Sequence, residues 1–222
     1  MPFSAIPLLL VVGLLLPALA WLGYRQLAAT AETPTVVSGR ALAVQTLVLQ
    51  AVLIGLSLLA IEGAGLTVHL GARVSAIALL ATAAVVAGGL LATWLEARRR
   101  VLGPRDAVRR TLRGIGAGDP WWLAANLAAA VGEELAYRGA LTELLSPWLG
   151  AAAAVALSAA LFGLAHLTQG WRGAVFSAAQ ALAFQGLVIL SGGLALAIVA
   201  HLAYDLGAHL LGRRLARASD SG

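Results

Sequence analysis

Long apolar runs separated by short polar connections fill most of the chain. Crossing the ~30 Å hydrocarbon core of a bilayer takes ~20 mostly apolar helical residues. Seven stretches approach that length, at about residues 3–23, 41–61, 73–95, 121–145, 149–168, 173–190 and 192–212. The boundaries of the last spans depend on short polar or glycine-containing stretches, so one segment can instead be re-entrant or interfacial. The pattern predicts an all-α, polytopic transmembrane helix bundle of about seven spans, within a range of six to eight.

Composition supports a membrane protein and excludes several other classes. The chain has 222 residues, of which 60% are hydrophobic and 11% charged; soluble domains average about 45–50% and about 25%. It has no cysteine, so it has neither disulfides nor a thiolate nucleophile or ligand. The net charge of +5 comes without interleaved aromatic residues, which argues against a nucleic-acid partner. Membrane lipids are the expected surroundings, and no feature predicts an oligomeric state.

Arginine placement predicts the orientation. The connection at 96–119 holds seven arginines, and Arg213, Arg214 and Arg217 follow the last span. Excess arginine marks cytoplasmic connections, so the C-terminus is expected inside. With an odd number of spans, the N-terminus is then outside. The expected membrane is a bacterial cell membrane. The first span resembles a signal peptide, but cleavage would put the arginine-rich connection outside. We therefore expect an uncleaved anchor.

The same features divide the chain into four parts. The predicted parts are an N-terminal scaffold of three spans, a basic cytoplasmic connection, a catalytic four-helix core and a basic cytoplasmic tail, at residues 1–95, 96–120, 121–212 and 213–222. The basic connection is expected to form an interfacial helix that contacts anionic headgroups.

Ionisable side chains are concentrated in the last four spans. Charges in hydrocarbon cost several kcal/mol unless paired or hydrated, which makes them candidates for a functional site. The first three spans hold almost none away from their ends. The last four hold Glu133, Glu134, Arg138, Glu143, His166, His201, Asp205 and His209.

Helix periodicity separates the two adjacent glutamates. At about 100° per residue, Glu134 lies about 40° from Arg138, whereas Glu133 lies about 140° away. Arg138 can therefore pair with Glu134. A carboxylate held by arginine is a poor base, whereas one in a low-dielectric pocket can accept a proton near neutral pH. Glu133 is the candidate base.

Two histidines complete the candidate constellation. His201 and Asp205 have i,i+4 spacing, as do Phe162 and His166, so each pair shares a helix face. Two histidines and Glu133 from three helices can activate a water molecule and stabilise an oxyanion. A lone His166 is more often a packing residue, and this alternative stays open.

Other polar residues carry weaker signals. Tyr137, one turn from Glu133, either orients that carboxylate or simply packs. Glu143 and His209 lie near span ends and are expected to have interface or packing roles. His69 is expected to be inert, and the tryptophans at 121 and 122 are expected to anchor a span at the interface.

Three motifs resemble a known family. "EELAYR" (133–138), "FGLAH" (162–166) and "HLAYD" (201–205) occur in order on separate predicted helices. They resemble the E-E-x-x-x-R, F-x-x-x-H and H-x-x-x-[N/D] motifs of the CPBP intramembrane proteases. That group includes type II CAAX prenyl endopeptidases and the Abi self-immunity and bacteriocin-processing proteins. The resemblance covers roughly residues 120–210, and members commonly have eight spans.

The resemblance implies a role for each motif residue. Glu133 would be the general base and would position the attacking water with His166. His201 and Asp205 would hold the oxyanion of the tetrahedral intermediate. Glu134 and Arg138 would brace the site, with Phe162 as a supporting residue.

The residue that ends the third motif departs from the common pattern. Asp205 stands where prenyl-processing members typically have asparagine, and an ionised aspartate would repel an oxyanion. Two readings stay open. Either Asp205 is protonated in its pocket, or it orients His201 as a positively charged donor.

A zinc site is the alternative to metal-free chemistry. Family members are often named metalloproteases, and Glu133, His166 and His201 could supply a His₂Glu ligand set. The chain lacks the H-E-x-x-H spacing. If Glu133 were a ligand, the base would have to be Glu134, which Arg138 is expected to hold. The resemblance implies a glutamate-dependent enzyme with no cofactor.

These observations favour an intramembrane endopeptidase that hydrolyses a membrane-associated or lipidated peptide or protein. A proton- or ion-coupled transporter is an alternative, because intramembrane carboxylates and histidines also form proton relays. Transporters usually contain paired repeats, whereas polar residues here occupy one half of the chain. A catalytically silent immunity or binding protein of the same fold is a further alternative, although no motif residue is missing.

The predicted topology can be tested with reporter fusions after residues 70, 110 and 218. We expect a cytoplasmic signal at 110 and 218 and an extracytoplasmic signal at 70, because arginine-rich connections stay in the cytoplasm. An extracytoplasmic signal at 110 would overturn both the orientation and the uncleaved anchor.

Overall fold

The protein folds into a bundle of α-helices. A computed structural model describes residues 2–29, 38–99 and 119–218, and these contain seven helical runs and no strand. We number the helices α1 (3–29), α2 (Gly39–Gly63), α3 (Ala76–Arg99), α4 (120–149), α5 (Ala151–Ala165), α6 (Trp171–Ser191) and α7 (Ala195–Ala218). The predicted all-α fold class is confirmed. Most of the basic connection, residues 100–118, lies outside the described residues.

The helices match the seven predicted spans in number and differ in length. Five of them, α1, α2, α3, α6 and α7, are long and apolar enough to cross a membrane. The run 120–149 is roughly 45 Å long at 1.5 Å per residue. Helix α5 has only 15 residues and reaches about 22 Å, so the expected span at 149–168 is shorter than a hydrocarbon core.

Local sequence explains where several helices begin and end. The Ser38 hydroxyl accepts a hydrogen bond from the Ala41 N–H at 3.2 Å and caps α2. Asp119 caps α4 in the same way through the Trp121 N–H at 2.9 Å, and Pro120 follows at the first helical position, where its missing N–H is harmless. Gly150, with φ of 79°, separates α4 from α5, since a positive φ suits glycine.

Helix α4 lies at the centre of the bundle. Its Tyr137 and Leu141 are buried together with Leu8 of α1, Leu53 of α2 and Phe162 of α5. On its other side, α4 packs against α7. Side chains from the middle of α4 are therefore enclosed by helices from both halves of the chain.

Small residues allow the closest helix contacts. A Cβ atom on Gly163 would lie 2.5 Å from the Ala174 carbonyl oxygen and 2.9 Å from the Ala178 Cβ, so α5 and α6 are in near backbone contact. This close approach, typical of membrane helix pairs, fixes the end of α5 that carries His166.

The connection between α2 and α3 is attached to the turn between α6 and α7. The Leu194 N–H donates to the His69 carbonyl at 2.9 Å, and the Arg73 N–H donates to the Ser191 carbonyl at 2.7 Å. A side chain at Gly193 would collide with the Gly71 carbonyl. These contacts join the N-terminal and C-terminal halves at the end of the bundle where α7 begins.

Candidate active site

A π-helical turn carries most of the first motif. Helix α4 is α-helical to Glu133, π-helical over Glu134–Leu141, and α-helical again from Thr142. The Tyr137 carbonyl accepts from the Thr142 N–H five residues later, and from the Thr142 and Ser158 hydroxyls at 2.8 Å each. Such π turns often occur at functional sites. The α-helical geometry predicted for this segment is wrong. The Ser158 hydroxyl of α5, which bonds the turn, lies far away in the sequence, so local spacing gave no sign of it.

The predicted pair of Glu134 and Arg138 is present inside this turn. Arg138 Nη1 lies 3.1 Å from Glu134 Oε1, with side-chain exposures of 2% and 0%. The guanidinium carbon also lies over the Phe162 ring, 4.5 Å from its centroid, and 5.7 Å from the centroid of Phe184. The cation is therefore held by one carboxylate and two aromatic rings.

His201 links the two glutamates. Its Nδ1–H donates to Glu134 Oε1 at 2.9 Å, and its ring stacks on Phe184 with centroids 5.2 Å apart. Its Nε2 lies 3.7 Å from Glu133 Oε2 and 3.5 Å from Asp205 Oδ2. The bond to Glu134 fixes the ring orientation and leaves Nε2 facing the two other carboxylates. Sequence reasoning missed this bond, which makes Glu134 an anchor for His201 as well as a partner of Arg138.

The two adjacent glutamates occupy different environments. The side chain of Glu133 is 16% exposed and that of Asp205 is 27% exposed, whereas Glu134 is fully buried. Glu133 and Asp205 are therefore partly exposed, whereas Glu134 is enclosed by the bundle. Arg138, the buried cation nearby, is paired with Glu134.

Gln50 was not among the predicted site residues. Its Nε2–H donates to Glu133 Oε1 at 3.0 Å, although it belongs to α2, in the part expected to be scaffold. The sequence signal was a glutamine in the interior of an apolar span, and such polar residues in lipid-spanning helices often face the bundle interior.

His166 lies at the end of α5, beside the other motif residues. Its Nδ1 is 2.8 Å from the Phe162 carbonyl oxygen, which can only accept, so Nδ1 carries the proton and Nε2 keeps its lone pair when the ring is neutral. The ring packs on Phe162 with centroids 4.5 Å apart, and it lies within electrostatic range of Asp205. Among the described residues, no hydrogen bond or ion pair joins His166 to Glu133.

The remaining predicted residues take other positions. The Tyr137 ring packs edge-on against Phe162, with centroids 5.1 Å apart, and its hydroxyl has no hydrogen-bond partner in the described part of the chain. Glu143 is exposed. His209 is buried and packs on Trp122, with centroids 4.9 Å apart.

The alternative zinc ligands do not form a metal-binding cluster in this geometry. Across residues 2–29, 38–99 and 119–218, no three His, Cys, Asp or Glu side chains are grouped so that they could hold a metal ion. The Nδ1 atom of His166 is bonded to the Phe162 carbonyl and that of His201 to Glu134, so each histidine keeps Nε2 for a further partner.

Comparison with known proteins identifies the part of the chain that contains this site. Residues 119–207 match the family model described as type II CAAX prenyl endopeptidase Rce1-like. No curated protein and no solved structure is significantly similar to the chain. The matched segment contains all three motifs, and with five helices able to cross a membrane it makes the chain an integral membrane protein. Residues 119–207 are thus similar to the type II CAAX prenyl endopeptidase Rce1-like family, and the family resemblance of the three motifs is confirmed.

Proposed function

We propose that the protein is a glutamate-dependent intramembrane endopeptidase. The main support is the contrast between two neighbouring carboxylates. Glu134 is buried and neutralised by Arg138, whereas Glu133 is partly exposed and lies 3.7 Å from His201 Nε2. A carboxylate that water can reach, with no arginine holding it, can act as a general base. The domain match supports the same reaction class.

In this proposal Glu133 removes a proton from a water molecule as the water attacks the scissile carbonyl carbon. His166 accepts a hydrogen bond from the same water at Nε2, the nitrogen that its bond to Phe162 leaves unprotonated. The proton held by Glu133 then passes to the leaving amine as the carbon–nitrogen bond breaks. The base is thereby regenerated in each cycle.

His201 is the proposed donor to the oxyanion. Its Nδ1–H is committed to Glu134, so an imidazolium ring presents its second N–H at Nε2. That donor is placed before the reaction begins, which is how fixed dipoles stabilise developing charge. Asp205, 3.5 Å from Nε2, either supplies a further donor when protonated or supports the positive charge of the ring.

The proposed substrate is a membrane-associated or lipidated peptide. The family description names prenyl endopeptidases of CAAX sequences, so a quenched fluorescent peptide with a prenylated C-terminal CAAX sequence is the first probe. Unprenylated membrane peptides are tested by expressing Glu133→Ala in native membranes and comparing new peptide N-termini with those of the wild type. Cleavage products present with the wild type and absent with the variant would identify the substrate.

The first prediction separates the two glutamates. Glu133→Gln should lower cleavage of the substrate by about 10²-fold or more, with an unchanged unfolding temperature in detergent, since the amide keeps the shape and loses the base. Glu134→Gln, the matched control, should lower the free energy of unfolding by about 3–5 kcal/mol because it leaves Arg138 buried without its anion. Near-normal cleavage by Glu133→Gln would reject Glu133 as the base.

The second prediction concerns Asp205. We expect Asp205→Asn to keep activity, because Glu134 still bonds His201 Nδ1 and the amide can donate to the oxyanion. Any loss at high pH should be relieved, since no carboxyl group remains to ionise. If Asp205 instead sustains the charge of His201, activity should fall by about 10²-fold, the usual scale for one oxyanion donor. A pH–activity profile depressed at every pH would support that second reading.

The third prediction concerns metal content. The purified active protein should contain clearly less than one zinc per chain and should keep its activity in chelators, because Glu133, His166 and His201 do not form a ligand cluster. The measurement is elemental analysis beside activity before and after chelation. Stoichiometric zinc, with activity lost on chelation and restored by added zinc, would contradict it.

A further inference from the structure

Gln50 makes a buried contact with the proposed base from outside the matched domain. It lies in α2, is 2% exposed, and donates its Nε2–H to Glu133 Oε1 at 3.0 Å across 83 positions of sequence. The matched domain begins at residue 119, so the match assigns this residue no role.

Burying the Gln50 amide costs free energy of folding, and stability alone does not explain why a glutamine is there. Burying an amide without full hydrogen bonding costs roughly 1–3 kcal/mol in proteins. In the described residues the Gln50 amide oxygen has no hydrogen-bond partner, and the side chain's hydrogen bond goes to Glu133. An apolar side chain of similar size would avoid that cost, so packing alone does not account for a glutamine here.

The neighbouring glycine provides the space that the contact requires. A Cβ atom on Gly132 would collide with the Gln50 amide oxygen, and it would lie 3.4 Å from the Gln50 backbone oxygen. Helices α2 and α4 therefore approach closely at the residue just before Glu133. Glycine at this position lets the glutamine lie against α4 with its amide nitrogen at the carboxylate.

We propose that Gln50 is a positioning residue that holds the Glu133 carboxylate in its reactive orientation. The amide fixes Oε1, which leaves Oε2 as the oxygen that faces His201 Nε2 at 3.7 Å. This inference rests on the proposed role of Glu133 as the base.

The test replaces Gln50 with methionine, which is similar in length and cannot donate. Gln45→Met is the matched control, because Gln45 is on the same helix and exposed. The readout is infrared spectroscopy of the purified protein in detergent, in which the carboxylate stretching bands of Glu133 are assigned by their absence in Glu133→Gln. We expect these bands to shift in Gln50→Met, because one carboxylate oxygen loses its hydrogen-bond donor, and to stay unchanged in Gln45→Met.

Cleavage of the fluorescent prenylated CAAX peptide provides the second readout. In Gln50→Met, kcat should fall roughly tenfold and KM should stay the same. If Gln50→Met fails to fold, Gly132→Ala replaces it in the test. This substitution keeps the Gln50 amide but fills the space beside it, and it should produce the same changes.

The outcomes separate this inference from the proposed function. Unshifted carboxylate bands of Glu133 and a normal kcat in folded Gln50→Met, with Glu133→Gln inactive, would overturn the role of Gln50 alone. Full activity in Glu133→Gln would overturn the proposed base, and with it the role of Gln50. Since the infrared measurement requires no substrate, it reports on the contact even if the prenylated peptide is not cleaved.

Discussion

An ionised carboxylate inside an apolar helix bundle requires positive charge and hydrogen-bond donors around it, because it has lost its water. Glu134 has both, from Arg138 one turn along α4 and from His201 of α7. Phe162 and Phe184 enclose the guanidinium, and Phe184 also stacks on His201. The contacts of this one buried ion pair therefore involve four helices, α4, α5, α6 and α7.

The same arrangement gives different environments to Glu133 and Glu134, which are adjacent and chemically identical. Glu134 is fully buried, paired with Arg138 and hydrogen-bonded by His201. Glu133, one residue earlier, is partly exposed and lies beside the free side of the same imidazole. In the proposed mechanism, the fully buried Glu134 supports catalysis by the partly exposed Glu133. Glu134 does so by orienting His201 toward the position where the substrate carbonyl would lie.

The N-terminal helices contribute to this site as well as surrounding it. Gln50 of α2 bonds Glu133 directly, and the connection after α2 is bound through backbone hydrogen bonds to the turn before α7. Both contacts join the matched domain to the part of the chain outside it. Changes in the first three helices can therefore alter the site's geometry without touching a motif residue.

The sequence by itself determined the all-α membrane fold, the three motifs and the pairing of Glu134 with Arg138, because apolar run length and i,i+4 spacing are local properties. It did not determine the π turn, the bond between His201 and Glu134, or the contact from Gln50. Each of these depends on a partner from a different helix, and one sequence does not state which helices pack together. Only the tertiary structure decided which buried polar groups meet.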